Sequence, residues 1–385
     1  MKEKGSKEMS NSYPIKRYIR PFEDAKKNML DRAKRGSFPD TEYETVAKIF
    51  DRLTSLDRDA WASAFMATAR PWHERGEEAE ASGDFGAART AFMRAYAYYR
   101  LGRYPTTNSP GKRMSYEKSV ASFLCAAKYL DPPLERIEIP FTGRQGEGDR
   151  VVAYLRRPKT AARPPVLVAW GGIDGYKEDR ICEPYLERGI AVLSMDNAGV
   201  GEAPIKGGND GDRLFDAVFD WVRGRPDLDA SRMAIQGSST GGYWAAKLAH
   251  TRSDILSCAV NQGGCAHYAF TPEWIEKAQD GEYAYELAET LAYAFGREGF
   301  DDWAEWSPNL SLVKQGVLEL RHAPLLCVNG RRDSIFPIED HYLLFEYGDP
   351  KWGFFPDTGH MGKTPRTQGI IVDWLCARLG LATPA

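Results

Sequence analysis

The chain has 385 residues, 43% of them apolar and 27% charged, with a formal net charge of −3. That composition excludes wholesale disorder and fibrous repeats, and a near-neutral charge gives no general electrostatic reason to bind nucleic acid or an anionic membrane. No run approaches the roughly 18 consecutive apolar residues that span a bilayer. One number is high: 17 Phe, 10 Trp and 19 Tyr make aromatics 12% of the chain.

Residues 1–20 are rich in Lys and Ser and lack the apolar stretch of a secretory signal. From Tyr13 to Asp131 the pattern is helical. Asp59 to Ala81 and Phe85 to Leu101 carry Ala and large apolar residues at three- and four-residue intervals, broken by Gly83-Asp84. The pair predicts a helix–turn–helix hairpin of tetratricopeptide kind, without a second copy at a fixed period. Another helix is expected over Ser115 to Tyr129, ended by Asp131-Pro132-Pro133 because proline cannot continue a helix.

After the prolines the period changes. Leu134 to Phe141 and Arg150 to Arg156 alternate as a strand pair across a Gly-rich turn. Continuous apolar runs follow at Val166–Trp170, Ile190–Met195, Met233–Gln236, Ser257–Asn261, Leu325–Asn329 and Gly353–Phe355, separated by helix-length segments. Such runs are parallel strands buried on both faces by crossover helices. The expected fold is α/β: a mostly parallel, doubly wound sheet of about eight strands (residues 132–385) behind an N-terminal helical cap (residues 1–131). A stretch at about 263–322 is too long for a normal connection and predicts a helical lid.

Gly237-Ser238-Ser239-Thr240-Gly241 is a G-x-S-x-G between an expected strand and an expected helix. That context puts Ser239 on a tight elbow as a nucleophile; a bare helix-capping serine is the plainer alternative. A serine hydroxyl needs a base, and the base needs an oriented acid. His360 and Asp333 each follow an expected strand, in the order Ser…Asp…His, and strand carboxyl ends share one crevice. Acyl chemistry also needs donors for an oxyanion. The amides of Thr240 and of Gly172, with Ile173 next, are the candidates. Trp170 stands before the paired glycines and would form part of the pocket wall. The six cysteines (Cys125, Cys182, Cys258, Cys265, Cys327, Cys376) show no CxxC and no zinc spacing, so buried free thiols in a reducing cytoplasm are expected. Nothing signals a metal or a cofactor; Asp196 to Gly201 lacks the motif of a phosphate loop.

These stretches, with Trp170-Gly171-Gly172-Ile173-Asp174-Gly175-Tyr176-Lys177-Glu178-Asp179 and Tyr98-Tyr99-Arg100, resemble one α/β-hydrolase subgroup. It contains the fermentation–respiration switch protein, fungal hydrolases that shorten a polyketide chain, and 2,6-dihydroxypseudooxynicotine hydrolase. The resemblance runs from about Tyr13 and implies Ser239, Asp333 and His360 as triad, with Gly172 and Thr240 as oxyanion hole. It further implies cleavage of a C–C bond beside a ketone, with an ester as the alternative, and a homodimer. Lys177 and Glu178 match a family stretch and read as a structural ion pair. A different class of reading makes the N-terminal helices a protein-binding surface.

The aromatic excess is uneven: 18 aromatics lie in residues 1–130 and 10 in residues 268–306. The first set reads as helix packing. The second, including Tyr268, Phe270 and Trp274, is expected to line the site with His267 and Glu273, so the expected partner is a small aromatic substrate, with neither nucleic acid nor membrane.

Overall fold

The computed structural model describes residues 15–382; residues 1–14, most of the Lys/Ser-rich terminus, lie outside the described residues. Five helices come first: α1 (Phe22–Lys34), α2 (Tyr43–Phe50), α3 (Arg58–Ala81), α4 (Phe85–Gly102) and α5 (Pro110–Ala127). The sequence explains their starts. The carboxylates of Asp57 and Asp84 accept from the Ala60 and Ala87 N–H groups at 2.8 and 3.0 Å, and Ser109 Oγ accepts from Lys112 N–H at 3.3 Å. Helix α5 begins five residues earlier than the apolar period indicates, because Ser109 caps it and Pro110 supplies a preset φ at its first position. It also ends at Ala127, before the proline pair. Helices α3 and α4 pair as the expected hairpin, and α3 continues through Pro71.

Eight strands follow: β1 (Leu134–Pro140), β2 (Arg150–Arg156), β3 (Pro165–Trp170), β4 (Ala191–Met195), β5 (Asp229–Ser238), β6 (Cys258–Gln262), β7 (Leu325–Val328) and β8 (Lys351–Phe354). They form one sheet ordered β1-β2-β4-β3-β5-β6-β7-β8. The β1/β2 and β2/β4 pairs are antiparallel and the rest parallel. The chain is therefore an α/β-hydrolase fold. Every residue of β3, β4, β6 and β7 is buried, which is why these strands read as unbroken apolar runs. Alternate residues serve opposite cores: Val166 and Val168 face one, Leu167 and Ala169 the other.

The remaining helices are α6 (Glu183–Leu186), α7 (Arg213–Arg223), α8 (Thr240–Thr251), α9 (Pro272–Ala278), α10 (Leu287–Ala294), α11 (Phe300–Trp306), α12 (Ile338–Phe345) and α13 (Thr367–Arg378). Helices α9 to α11 occupy the long stretch between β6 and β7. An extended segment before α1 is laced onto them: Lys16 and Tyr18 N–H groups donate to Glu276 and Gln279, and Arg20 donates to the Gly281 carbonyl at 2.6 Å. Among the described residues no helix is long and apolar enough to cross a membrane.

Candidate active site

Strand β5 ends at Ser238 and α8 begins at Thr240, leaving Ser239 to make the turn alone, at φ 55° and ψ −131°. A non-glycine residue rarely occupies that region, and it persists only where the surroundings enforce it. Here they do. A Cβ on Gly237 would run into the Gly241 carbonyl, and one on Gly241 into the Gly171 carbonyl. Ser239 N–H donates to the Gln262 carbonyl at the end of β6, at 2.8 Å. The elbow is sharp because Gly237 and Gly241, two residues to either side, have no side chains to obstruct it.

The loops after β7 and β8 bring the other two groups to the serine. His360 Nδ1 lies 2.8 Å from Asp333 Oδ2 and Nε2 lies 2.8 Å from Ser239 Oγ. A carboxylate only accepts, so Nδ1 carries the proton and Nε2 of the neutral ring accepts from the serine hydroxyl. Asp333 is held from three further sides: Ile335 and Phe336 N–H groups donate to Oδ1 at 2.7 and 3.1 Å, and Asn329 Nδ2 donates to Oδ2 at 2.8 Å. Burial pushes the Asp333 carboxyl up, but the charge and hydrogen bond of His360 outweigh it and hold it below the usual carboxylate range. For His360, burial acts downward, but the charge and hydrogen bond of Asp333, with the charge of Glu282, together outweigh it, so the imidazole is held above its ordinary value.

Gly172 backs directly onto Ser239. A Cβ there would lie 2.7 Å from Ser239 Cβ and 3.0 Å from Oγ, so only glycine lets this backbone approach. Asn197, at the end of β4, takes up the carbonyl side of the loop, its Nδ2 donating to the Gly171 carbonyl at 2.6 Å. Among the described residues neither the Gly172 nor the Thr240 N–H donates to another part of the backbone.

The loop after β3 is anchored by buried charge. Lys177 Nζ sits among Glu178 at 2.8 Å, Asp196 at 2.9 Å, Glu202 at 2.7 Å and the Tyr116 hydroxyl at 3.1 Å, with none of its side chain exposed. Burial acts to discharge it, but Asp196 and Glu178 outweigh that and keep it protonated. Its donors are all engaged, so this cluster ties α5 and two strand-end loops together. Asp179 does the same for α4, pairing with Arg100 at 2.5 Å and Arg103 at 3.1 Å.

Ser239 opens into a cavity of about 470 Å³, and a wall of it is built by the N-terminal region: Arg32 of α1, Phe38 after it, Arg100 of α4, and Arg103 and Tyr104 just after α4. The residues nominated from the insertion do not line it. His267 and Tyr268 are pinned by their N–H groups to Asp340 of α12 at 2.8 and 2.7 Å, and His267 Nδ1 pairs with Ser311. Tyr268 is 40% exposed, Glu273 is exposed, and Phe270 is buried edge-on against Tyr243. Trp274 donates to the Ile335 carbonyl at 2.9 Å. Trp170 is also turned away: it is buried below the elbow, its Nε1 donating to the Gly241 carbonyl at 2.8 Å, against Phe215. The N-terminal rings mostly pack among their own helices as expected, Trp61 against Phe50 and Phe65 for example, while Phe38 and Tyr104 reach the cavity; the insertion packs behind this wall, with the Tyr285 hydroxyl donating to the Tyr104 carbonyl.

Three contributors carry no sequence motif. Asn329 accepts through Oδ1 from Gly330 and Met361 N–H groups while bonding Asp333. Asn197 stands at a strand end and that position alone could have flagged it. Glu282 of the insertion accepts from His360 N–H at 2.9 Å and Ser334 N–H at 3.2 Å, bridging the loops that carry His360 and Asp333. Among the described residues no group of three or more His, Cys, Asp or Glu is placed to hold a metal ion.

Comparison with known proteins agrees with the fold. A family profile described as "Esterase FrsA-like" matches residues 33–351. The "Alpha/beta hydrolase ucsC" of Acremonium sp. is 29% identical over 228 residues, covering 52% of this chain and 46% of its own length. The "Alpha/beta hydrolase gkaG" of Penicillium citrinum is 31% identical over 238 residues, covering 54% and 52%. The chain thus spans about half the length of the curated relatives it matches. In fold it is similar to the solved structure of 2,6-dihydroxy-pseudo-oxynicotine hydrolase, with a TM-score of 0.72 over 92% of this chain and 95% of that one at 20% identity. The chain belongs to the FrsA-like esterase family, a group of α/β-hydrolases.

Proposed function

We propose that this hydrolase acts through Ser239 as a nucleophile on a carbonyl substrate, by way of an acyl-enzyme. The observation that carries the reading is the unbroken chain Ser239 Oγ–His360–Asp333, both links 2.8 Å, at an elbow held in a strained conformation. His360 takes the hydroxyl proton as Oγ attacks the carbonyl carbon, and Asp333 stabilises the imidazolium. The Gly172 and Thr240 N–H groups receive the oxyanion. Collapse expels the leaving group, to which His360 returns the proton. A water, deprotonated by the same imidazole, then attacks the acyl carbon and frees Ser239.

The bond we favour is a C–C bond next to a ketone in an aromatic substrate, whose leaving group departs as a stabilised carbanion and takes its proton from His360. Phe38 and Tyr104 in the cavity wall suit a ring. The second reading, a carboxylic ester, is favoured by the esterase family to which the chain belongs. Ser239→Ala abolishes turnover in either case and removes labelling by a fluorophosphonate. Wild-type activity in that variant refutes the nucleophile. Product analysis with 1,3-diketones, acylated aromatic rings and simple esters separates the two bonds.

A further inference from the structure

The Ser239 cavity carries positive charge that its own carboxylates leave unbalanced. Arg32, Arg100, Arg103, Arg180 and Lys363 line it against Asp174 and Asp179. Asp179 is already shared by Arg100 and Arg103, at 2.5 and 3.1 Å. The other three cations make no ion pair among the described residues. Arg180 donates to the Trp170 carbonyl at 3.1 Å. Arg32 donates to the Tyr104 hydroxyl at 2.9 Å, one of five N–H donors, with its guanidinium over the rings of Phe38 and Tyr104. Lys363 follows the His360 loop; burial, then the charges of Arg32 and Arg100, disfavour its protonated form and outweigh the opposing pull of Asp174 and Glu282. Like charges gathered in a concave, partly desolvated space repel one another, and the arrangement is relieved when an anion enters.

We infer that this cavity takes an anionic substrate, whose oxyanion (a carboxylate or an ionised enol) is held between Arg32 and Lys363 while its scissile carbonyl meets Ser239. The inference rests on the serine-hydrolase reading and adds the charge of the substrate to it. Two features favour a planar oxyanion over a bare attraction for any anion. A guanidinium presents parallel N–H donors to the two oxygens of a carboxylate or of an enolised diketone. The rings of Phe38 and Tyr104 beneath it offer a flat face to the atoms those oxygens are attached to.

The test compares p-nitrophenyl hydrogen glutarate, which carries a carboxylate, with p-nitrophenyl valerate, its neutral counterpart. The wild type is expected to prefer the anionic ester by about tenfold or more in kcat/KM at low salt. That preference shrinks in about 0.5 M NaCl, where screening acts over a few ångströms. Lys363→Met, at an exposed position, and Arg32→Met each reduce the ratio severalfold. A 1,3-diketone compared with its 2,2-dimethyl derivative, which cannot ionise, asks the same of an enolate and distinguishes the two oxyanions. A ratio near one in the wild type with both pairs, or one unchanged in both variants, overturns the inference. Fluorophosphonate labelling of the wild type keeps the two readings apart: an adduct on Ser239 without charge preference overturns the anionic substrate alone, whereas no adduct overturns the serine hydrolase as well.

Discussion

Two helical regions cover the carboxyl edge of the sheet, and both are rich in aromatic residues, yet they do different work. The N-terminal helices turn Arg32, Phe38, Arg100, Arg103 and Tyr104 into the cavity above Ser239. The insertion between β6 and β7 turns its rings inward: Phe295 meets Trp244, Trp303 and Trp306, and Phe270 meets Tyr243. One region supplies the wall and the other holds it up. Aromatic density therefore does not locate a site. Rings are as useful for filling a core as for meeting a substrate, whereas cations brought together without carboxylate partners have a cost that packing does not offset. The insertion reaches the Ser239 site through Glu282, which grips the backbone of His360 and of Ser334, the residue after Asp333.

The catalytic core sets the scale for breaking this division. Asp333→Asn lowers kcat by about 10⁴-fold, as loss of the orienting acid does in serine proteases. It also shifts the pH profile in a definite direction. His360 must be neutral to accept the serine proton, so activity falls as pH drops through its pKa, and Asp333 raises that pKa. The acid limb of kcat/KM in the wild type therefore lies above the ordinary imidazole value of about 6.5 and moves down in Asp333→Asn. A limb that stays in place in the variant assigns it to another group.

Next in size is Glu282→Ala. Freed from its anchor, the His360 loop loses register with Ser239, and kcat is expected to fall roughly 10- to 100-fold with KM little changed. Glu282→Gln keeps an acceptor oxygen for the His360 and Ser334 N–H groups and restores most of the rate. Equal losses in both variants make the negative charge, rather than the hydrogen bonds, the contribution of the insertion. A smaller effect belongs to the N-terminal wall. Phe38→Ala opens the cavity beneath Arg32, and KM for a ring-containing substrate rises by about tenfold while kcat changes less.

Much of the framework was legible from residue order: strands buried on both faces, such as β3, β4, β6 and β7, must be continuously apolar, and the β1/β2 pair shows in its alternation. The meeting of Ser239, Asp333 and His360 was legible for a related reason: a strand end delimits where a loop side chain can reach, and the three side chains are hydrogen-bonded in series. The wall was not legible. Arg32 and Tyr104 meet across 72 residues, and Glu282 meets His360 across 78, and no local pattern encodes which face a helix presents after such a gap. Position after a strand misled for His267, and aromatic density for Tyr268, because Asp340 captures their N–H groups and they do not line the cavity. Trp170 misled because an indole at a strand end has two directions, and here its N–H finds the Gly241 carbonyl below the elbow.

The smallest expected effect is the sharpest test of which region meets the substrate. Phe270 is buried and edge-on to Tyr243, with no part in the lining of the Ser239 cavity. Phe270→Leu keeps an apolar side chain of lesser volume, so thermal or urea unfolding should register a loss on the order of 1 kcal/mol from imperfect packing. Steady-state kinetics on the same protein should register nothing in KM. The paired measurement separates the two kinds of cover, because Phe38→Ala is expected to move KM and Phe270→Leu stability. A rise in KM from Phe270→Leu comparable with that from Phe38→Ala returns the insertion to the cavity wall and reverses the division of labour between the two regions.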